Sequence, residues 1–212
     1  MSFEDSLALS EDVTPPRFFS SLAETTSGLS GNLPHWEQSG KTVFVTYRLA
    51  DSLPAEKLAV WQGEESDWLS LHPQPWDEDT RREYDEIFNA RREHWLDQGF
   101  GECLMKDSVC RSIVESSLRH FDGDRYQLYG YVVMPNHVHV CFMPLGGRTV
   151  AEVVQLWKSY SAKAVNRNLG RSGTVWQKEY FDRYIRNARH FERVLRYIRR
   201  NDPTLAWLAT VG

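Results

Sequence analysis

The sequence has few cysteines, and they form no pattern. Cys103, Cys110 and Cys141 include no CxxC pair. That excludes a disulfide scaffold and a structural zinc knuckle, and it suits a reducing compartment. No run approaches the roughly 18 apolar residues of a membrane span, so no membrane role is expected. The first residues, MSFEDSLALSEDVTPP, are acidic. They lack the basic start and apolar stretch of a secretory leader, so a cytoplasmic protein is expected. No Gly-rich phosphate loop is present, which counts against an NTP-driven machine. Glu102 and Asp182 stand without a clear second acid, leaving little support for paired-carboxylate hydrolysis. No internal repeat is visible.

What is present is the mix of a globular domain: 41% hydrophobic and 25% charged residues in a 212-residue chain. That length suits one domain with decorations. The net charge of −4 hides an asymmetry. From Arg148 onward there are 13 Lys and Arg against 5 Asp and Glu, a net of +8. The rest holds 12 basic and 24 acidic residues, a net of −12. A basic C-terminal third can attract a polyanion even from an acidic protein; the alternative is that the two halves neutralise each other.

Residues 1–32, rich in Ser, Thr, Glu, Gly and Pro, are expected to form a flexible arm, with order beginning near Leu33-Pro34-His35-Trp36. The alternating KTVFVTYRL run from Lys41 to Leu49 predicts a strand. Residues 51–105 predict an enlarged helical insertion, broken at His72-Pro73-Gln74-Pro75. Its second half is a highly charged helix, Asp79 to Leu96, with a thin stripe of Tyr84, Ile87, Phe88 and Trp95. A further helix fits Ser108 to Phe121. Arg125 to Val133 and His137 to Phe142 predict two strands, with Met134-Pro135-Asn136 as the tight turn between them. Thr149 and Glu152 make a capping box that opens an amphipathic helix ending near Gly170. A last strand fits within Trp176 to Ile185, and Asn187 can cap a final helix to about Asn201, with 207–212 as a tail. The order predicts an α+β protein: a ferredoxin-like split β-α-β sandwich, its antiparallel sheet with helices on one face and an appended C-terminal helix.

His137 and His139 alternate on a predicted strand and so share a face. Two such imidazoles offer a bidentate metal site; the alternative is an exposed pair without a ligand. Position 141 is Cys, so a histidine triad is excluded. In the last helix Tyr197 and Asn201 lie one turn apart, away from the apolar stripe of Phe191, Val194, Leu195 and Ile198. Tyr197 is either a snorkelling ring or a nucleophile whose pKa the surrounding positive charge lowers. Arg186, Arg189, Arg193, Arg196 and Arg200, with Lys158, form a one-signed set suited to phosphates. The alternative is a solvated face.

Together these residues resemble the single-tyrosine HUH transposases, and most closely the REP-associated tyrosine transposase group, within the IS200-like superfamily. The blocks are Leu33-Pro34-His35-Trp36 with Phe44 to Leu49; Val132-Val133-Met134-Pro135-Asn136-His137-Val138-His139; Trp157-Lys158-Ser159; Trp176-Gln177-Lys178-Glu179 with Phe181-Asp182-Arg183; and Tyr197-Ile198 with Asn201. The resemblance spans about residues 33–206. It departs where Asp202 precedes Pro203 and where 51–105 exceeds the minimal enzymes. It implies the ferredoxin-like fold, Tyr197 as nucleophile, and His137, His139 and Asn201 as ligands of Mg²⁺ or Mn²⁺. It implies cleavage and rejoining of single-stranded or hairpin DNA, REP-like palindromes included, through a 5′-phosphotyrosine, without NTP, by a monomer at the nucleoid. The competing expectations are a domesticated, non-catalytic single-stranded nucleic-acid binder on the same fold, and a metal-dependent phosphodiesterase that hydrolyses the bond.

Overall fold

The computed structural model describes residues 9, 12–20, 26–30, 33–73 and 76–209. A two-stranded antiparallel hairpin, β1 (Thr26–Ser30) with β2 (Leu33–Glu37), precedes the main sheet. The main elements are β3 (Val43–Arg48), α4 (Ser108–Arg119), β4 (Tyr126–Val133), β5 (His137–Pro144), α5 (Val150–Asn168), β6 (Phe181–Tyr184) and α6 (Ala188–Asn201). Between β3 and α4 lie α1 (Ala55–Leu71), α2 (Glu78–Tyr84), a π-helical turn (Asp85–Asn89) and α3 (Ala90–Asp97). A short strand β7 (Trp207–Leu208) closes the chain.

The sheet order is β6-β3-β5-β4-β7, every pair antiparallel. The first four strands carry the split β-α-β order of the expected ferredoxin-like fold. Local signals start its helices. Asp107 accepts the Cys110 amide at 2.8 Å, Asn187 accepts the His190 amide at 2.8 Å, and Thr149 with Glu152 closes the capping box. Each such cap is worth about 1 kcal/mol.

Alternation along β3 and β5 sorts two cores. Val43, Val45, Tyr47, Val138, Val140 and Phe142 face α4 and α5, packing on Val114, Leu118, Val154 and Trp157. Phe44, Cys141 and Met143 face the other way, onto Phe191, Val194, Leu195 and Ile198 of α6. The appended helix thus covers the face that α4 and α5 leave open. His137 and His139 share its side of the sheet by the same alternation.

A bulge in β4 admits Tyr129 as an extra residue between Leu128 and Gly130. It turns Tyr129 toward α6 while Leu128 and Tyr131 stay on the other side. Gly130 follows because nothing larger fits. A Cβ there would lie 2.6 Å from Leu208 Cδ2, 3.1 Å from the Trp207 carbonyl oxygen and 3.2 Å from Leu195 Cδ2. Gly130→Ala is therefore expected to cost about 1–3 kcal/mol by overpacking, read as a lower denaturant midpoint. An unchanged midpoint would show that β7 and Leu195 yield freely.

Two segments differ from expectation. Within the supposed arm, residues 12–20 run against the sheet. The Phe19 amide donates to the Ile185 carbonyl at 2.8 Å, Thr42 N to Arg17 O at 2.7 Å, and the Tyr129 hydroxyl to Thr14 O at 3.0 Å. The sheet edge and Tyr129 need these partners, and a local reading of composition cannot supply them. Residues 1–8, 10–11, 21–25 and 31–32 of that arm lie outside the described residues. Trp207 and Leu208, expected in a tail, pair with β4; 210–212 lie outside the described residues. No helix among the described residues is long and apolar enough to cross a membrane.

The insertion has its own small core of Trp61, Tyr84 and Phe88, with Trp68 and Trp95 against it. It returns to the sheet through a glycine. Gly101 has φ +85°, and a Cβ would lie 2.6 Å from the Asp51 carbonyl oxygen. Only glycine meets both demands without strain. This closure lays α3 over the open edge of the histidine face.

Candidate active site

The site is built on the β3–β5 register. Arg48 stands opposite His137, Thr46 opposite His139, and Phe44 opposite Cys141. Directly paired residues share a face, so one row of side chains from β3 supports the two histidines. Phe44 stacks on the His139 ring with centroids 5.5 Å apart and meets the Tyr197 ring edge-on at 5.8 Å.

Both histidines are buried, His137 at 1% exposure and His139 at 0%. Their Nε2 atoms face each other at 3.0 Å. Burial holds both well below the usual histidine range; the neighbouring imidazole also lowers His137, and the Arg92 charge lowers His139. Both are neutral at pH 7. Their outer nitrogens are held. His137 Nδ1 lies 2.8 Å from Asn136 Oδ1, and His139 Nδ1 lies 2.8 Å from the Thr46 hydroxyl. The Asn136 amide is oriented because its Nδ2 donates to the Leu96 and Phe100 carbonyls, each at 3.2 Å. His137 must then donate from Nδ1, which leaves its Nε2 bare. The Thr46 hydroxyl can donate or accept, so His139 can present either a proton or a lone pair.

Asn136 therefore ties the histidine strand to the end of α3. Asn136→Ala is expected to cost about 2–4 kcal/mol, since it leaves two buried carbonyls and one imidazole N–H unpaired. Hydrogen exchange should then rise most in residues 96–102. Unchanged exchange there would mean that the tie contributes little.

Tyr197 comes from α6. Its hydroxyl lies 3.2 Å from His139 Nε2 and donates to the Glu93 carboxylate of α3. The Glu93 carboxylate also lies 3.8 Å from His139 Nε2. The three residues singled out from sequence thus meet, and a fourth joins them. Glu93 gave no signal of its own: it is one acid in a highly charged helix, 104 residues from its partner. The expected lowering of the Tyr197 pKa is corrected. Burial raises it first, and the Glu93 charge and hydrogen bond raise it further, while the Asn201 side chain opposes the rise. The basic residues of α6 point outward, so their charge falls on solvent.

The remaining expected residues fall elsewhere. Asn201 donates from Nδ2 to the Tyr197 carbonyl at 2.9 Å, folding back on its own helix. The carboxylate beside the imidazoles is that of Glu93. Arg189, Arg193, Arg196 and Arg200 are exposed on α6, and Arg186 is half-buried. Arg196 bonds Glu192 at 3.1 Å. Lys158 is not a surface cation. It is 6% exposed, and its ammonium donates to the Lys178 carbonyl at 2.7 Å. Burial, with Arg48 nearby, lowers its pKa to about 8.

Among the described residues no three His, Cys, Asp or Glu side chains are gathered tightly enough to hold a metal ion. Two do converge, and their chemistry fits. Neutral imidazoles with fixed outer nitrogens suit a divalent ion such as Mn²⁺. The Glu93 carboxylate, 3.8 Å from His139 Nε2, is a further oxygen donor at hand.

An open antiparallel sheet with an HxH strand facing a helix-borne tyrosine defines the class. Residues 103–201 match the family described as "Transposase IS200 like". His137, His139, Tyr197 and Asn201 lie inside it; Arg48, Arg92 and Glu93 lie outside. The chain is also similar to a solved structure titled "Structure of the REP associates tyrosine transposase bound to a REP hairpin". The identity is 15%, over 79% of this chain and 69% of that one, with a TM-score of 0.39. No curated protein matches.

Proposed function

We propose that this protein cleaves and rejoins single-stranded or hairpin DNA through a 5′-phosphotyrosine on Tyr197. The observation that carries the reading is the 3.2 Å approach of the Tyr197 hydroxyl to His139, itself 3.0 Å from His137. Within the IS200-like transposases, the ordered blocks from Met134-Pro135-Asn136 to Tyr197-Ile198 and Asn201 favour the REP-associated group, with REP-like palindromes as substrate.

A divalent ion, Mg²⁺ or Mn²⁺, bound by His137 and His139, would supply Lewis-acid polarisation of the scissile phosphate. Asn136 and Thr46 orient the imidazoles that would bind it. Phe44 and the core of α6 hold the phenol ring, so attack needs no long search. Glu93 takes the phenolic proton as the Tyr197 oxygen bonds to phosphorus. The bond from phosphorus to the 3′ oxygen breaks, and that oxygen leaves as a hydroxyl after gaining a proton from water. The tyrosyl phosphodiester keeps the bond energy, so a 3′-hydroxyl can reverse the step without NTP. Arg189, Arg193 and Arg200, exposed on α6, would hold flanking phosphates. Hydroxyl and imidazoles come from one chain, which favours a monomer working in cis, in the cytoplasm at the nucleoid.

The test is a covalent adduct. Full-length protein is incubated with labelled hairpin DNA from its own genomic neighbourhood and Mn²⁺ or Mg²⁺, then run on a denaturing gel. A retarded band is expected. Its absence, despite salt-sensitive binding to the same DNA, would overturn the transferase and leave the non-catalytic binder.

A further inference from the structure

Beside the histidines lies a small open cleft, between the insertion and the β3–β6 edge. Its walls include Thr46, Arg48, Arg92, Glu179 and Phe181. Thr46 is the residue that holds His139, so cleft and histidine pair share a wall. Arg48 rises from β3 directly opposite His137. Arg92 descends from α3, one residue before Glu93.

Both guanidiniums are buried, Arg48 at 9% exposure and Arg92 at 6%. Two buried like charges are costly unless anions surround them. Here the supply is short. Arg48 has one side-chain hydrogen bond, a long one of 3.2 Å to Ser52. Arg92 stacks on Phe181 at 4.2 Å, and its buried Nη2 has no hydrogen-bond partner. The neighbouring carboxylates are partly spent. Glu93 receives the Tyr197 hydroxyl, and Glu65 receives the Tyr84 hydroxyl, with burial pushing its pKa up to about 7. Glu179 lines the cleft, while Arg183 and Lys158 add positive charge around it. Burial, and then the Arg92 charge, pulls Arg48 down to about 10, with Glu179 opposing the fall. The Phe181 ring packs against the Arg92 fork, a group whose shape suits bidentate phosphate recognition.

We propose that Arg48 and Arg92 form a subsite for one backbone phosphate of the DNA strand, next to the phosphate attacked by Tyr197. This rests on the strand-transferase reading and extends it. The subsite sets which nucleotide lies across the histidines, because phosphate contacts fix register while carrying no base information. The insertion thereby contributes a positioning group as well as Glu93.

The experiment scans hairpin DNA with a single neutral methylphosphonate at each phosphate flanking the cleavage point. Wild-type protein should lose about tenfold in affinity at one position, as for a charge-assisted contact. Arg92→Met and Arg48→Met should lose the same factor on unmodified DNA and be indifferent to that one methylphosphonate. Neither should lower the thermal midpoint, because each removes buried like-charge repulsion. A structural arginine predicts the reverse, a fall in midpoint and full sensitivity of the variant to the modified DNA. Flat wild-type affinity across the scan overturns the subsite without any variant having to fold. Inorganic phosphate alone separates a free-anion pocket. If it raises the wild-type but not the Arg92→Met midpoint, with no coupled DNA position, the strand assignment fails. The adduct gel is read in parallel. Wild-type adduct without coupling sinks only the subsite; coupling without adduct sinks the transferase and leaves the subsite on a binding protein.

Discussion

Tyr197→Phe is expected to abolish the covalent DNA adduct while leaving DNA affinity within about twofold of wild type. The adduct needs an oxygen at this position, and the Thr46 hydroxyl, the other one beside the imidazoles, is held by His139 Nδ1 on the far side of the ring. The loss should exceed about 10⁴-fold, the scale on which removing a nucleophile acts. The fold should survive. The ring still meets Phe44 and His139 edge-on, and only the hydroxyl that donates to Glu93 is lost. That costs about 0.5–1.5 kcal/mol. The check pairs a denaturing gel with a binding titration on one preparation. An adduct of undiminished yield would move the nucleophile elsewhere and end the reading of α6 as the reactive helix.

The second large effect is on the histidines. His137→Ala and His139→Ala should each slow adduct formation by about 10³-fold or more, and the residual rate should no longer respond to added Mn²⁺. Stability falls as well, by about 2–4 kcal/mol for His139, whose wholly buried ring contacts Phe44, His137 and Tyr197. His139→Asn keeps a polar group on Thr46 and fills more of the space, so it separates chemistry from folding. The measurement is adduct yield against Mn²⁺ concentration at a temperature where both variants are folded. A variant retaining the wild-type Mn²⁺ response would show that the imidazole pair is not where the ion acts.

The two predictions stand on residues that were legible beforehand, for physical reasons. An HxH pair on a strand must share a face, and the turn at Met134-Pro135-Asn136 forces the two strands to pair. The apolar stripe of α6 had to be buried, which set the side of the helix on which Tyr197 would emerge. The capping residues Thr149 and Asn187 acted within a few residues of themselves, and such local effects can be read in order along a chain.

Other parts were not legible. Lys158 reads as a surface cation, but the middle of α5 meets the segment around Lys178, and Lys158 is buried there. Asn201 has helical spacing suited to a ligand, yet its amide donates to the Tyr197 carbonyl of its own helix. Arg48 reads as one polar residue in an apolar strand, and register alone sets it across from His137.

The division is one of range. Periodicity, capping and turn chemistry act over a few residues, and they specified β3 to β6, α4 to α6, the ferredoxin-like order and the His137–His139–Tyr197 set. The surroundings of that set depend on contacts between distant segments. Glu93 and Arg92 reach it because the insertion closes through Gly101 and Asn136 and lays α3 over the sheet. No local pattern encodes that closure, so which charges surround the nucleophile was settled only when the segments packed together.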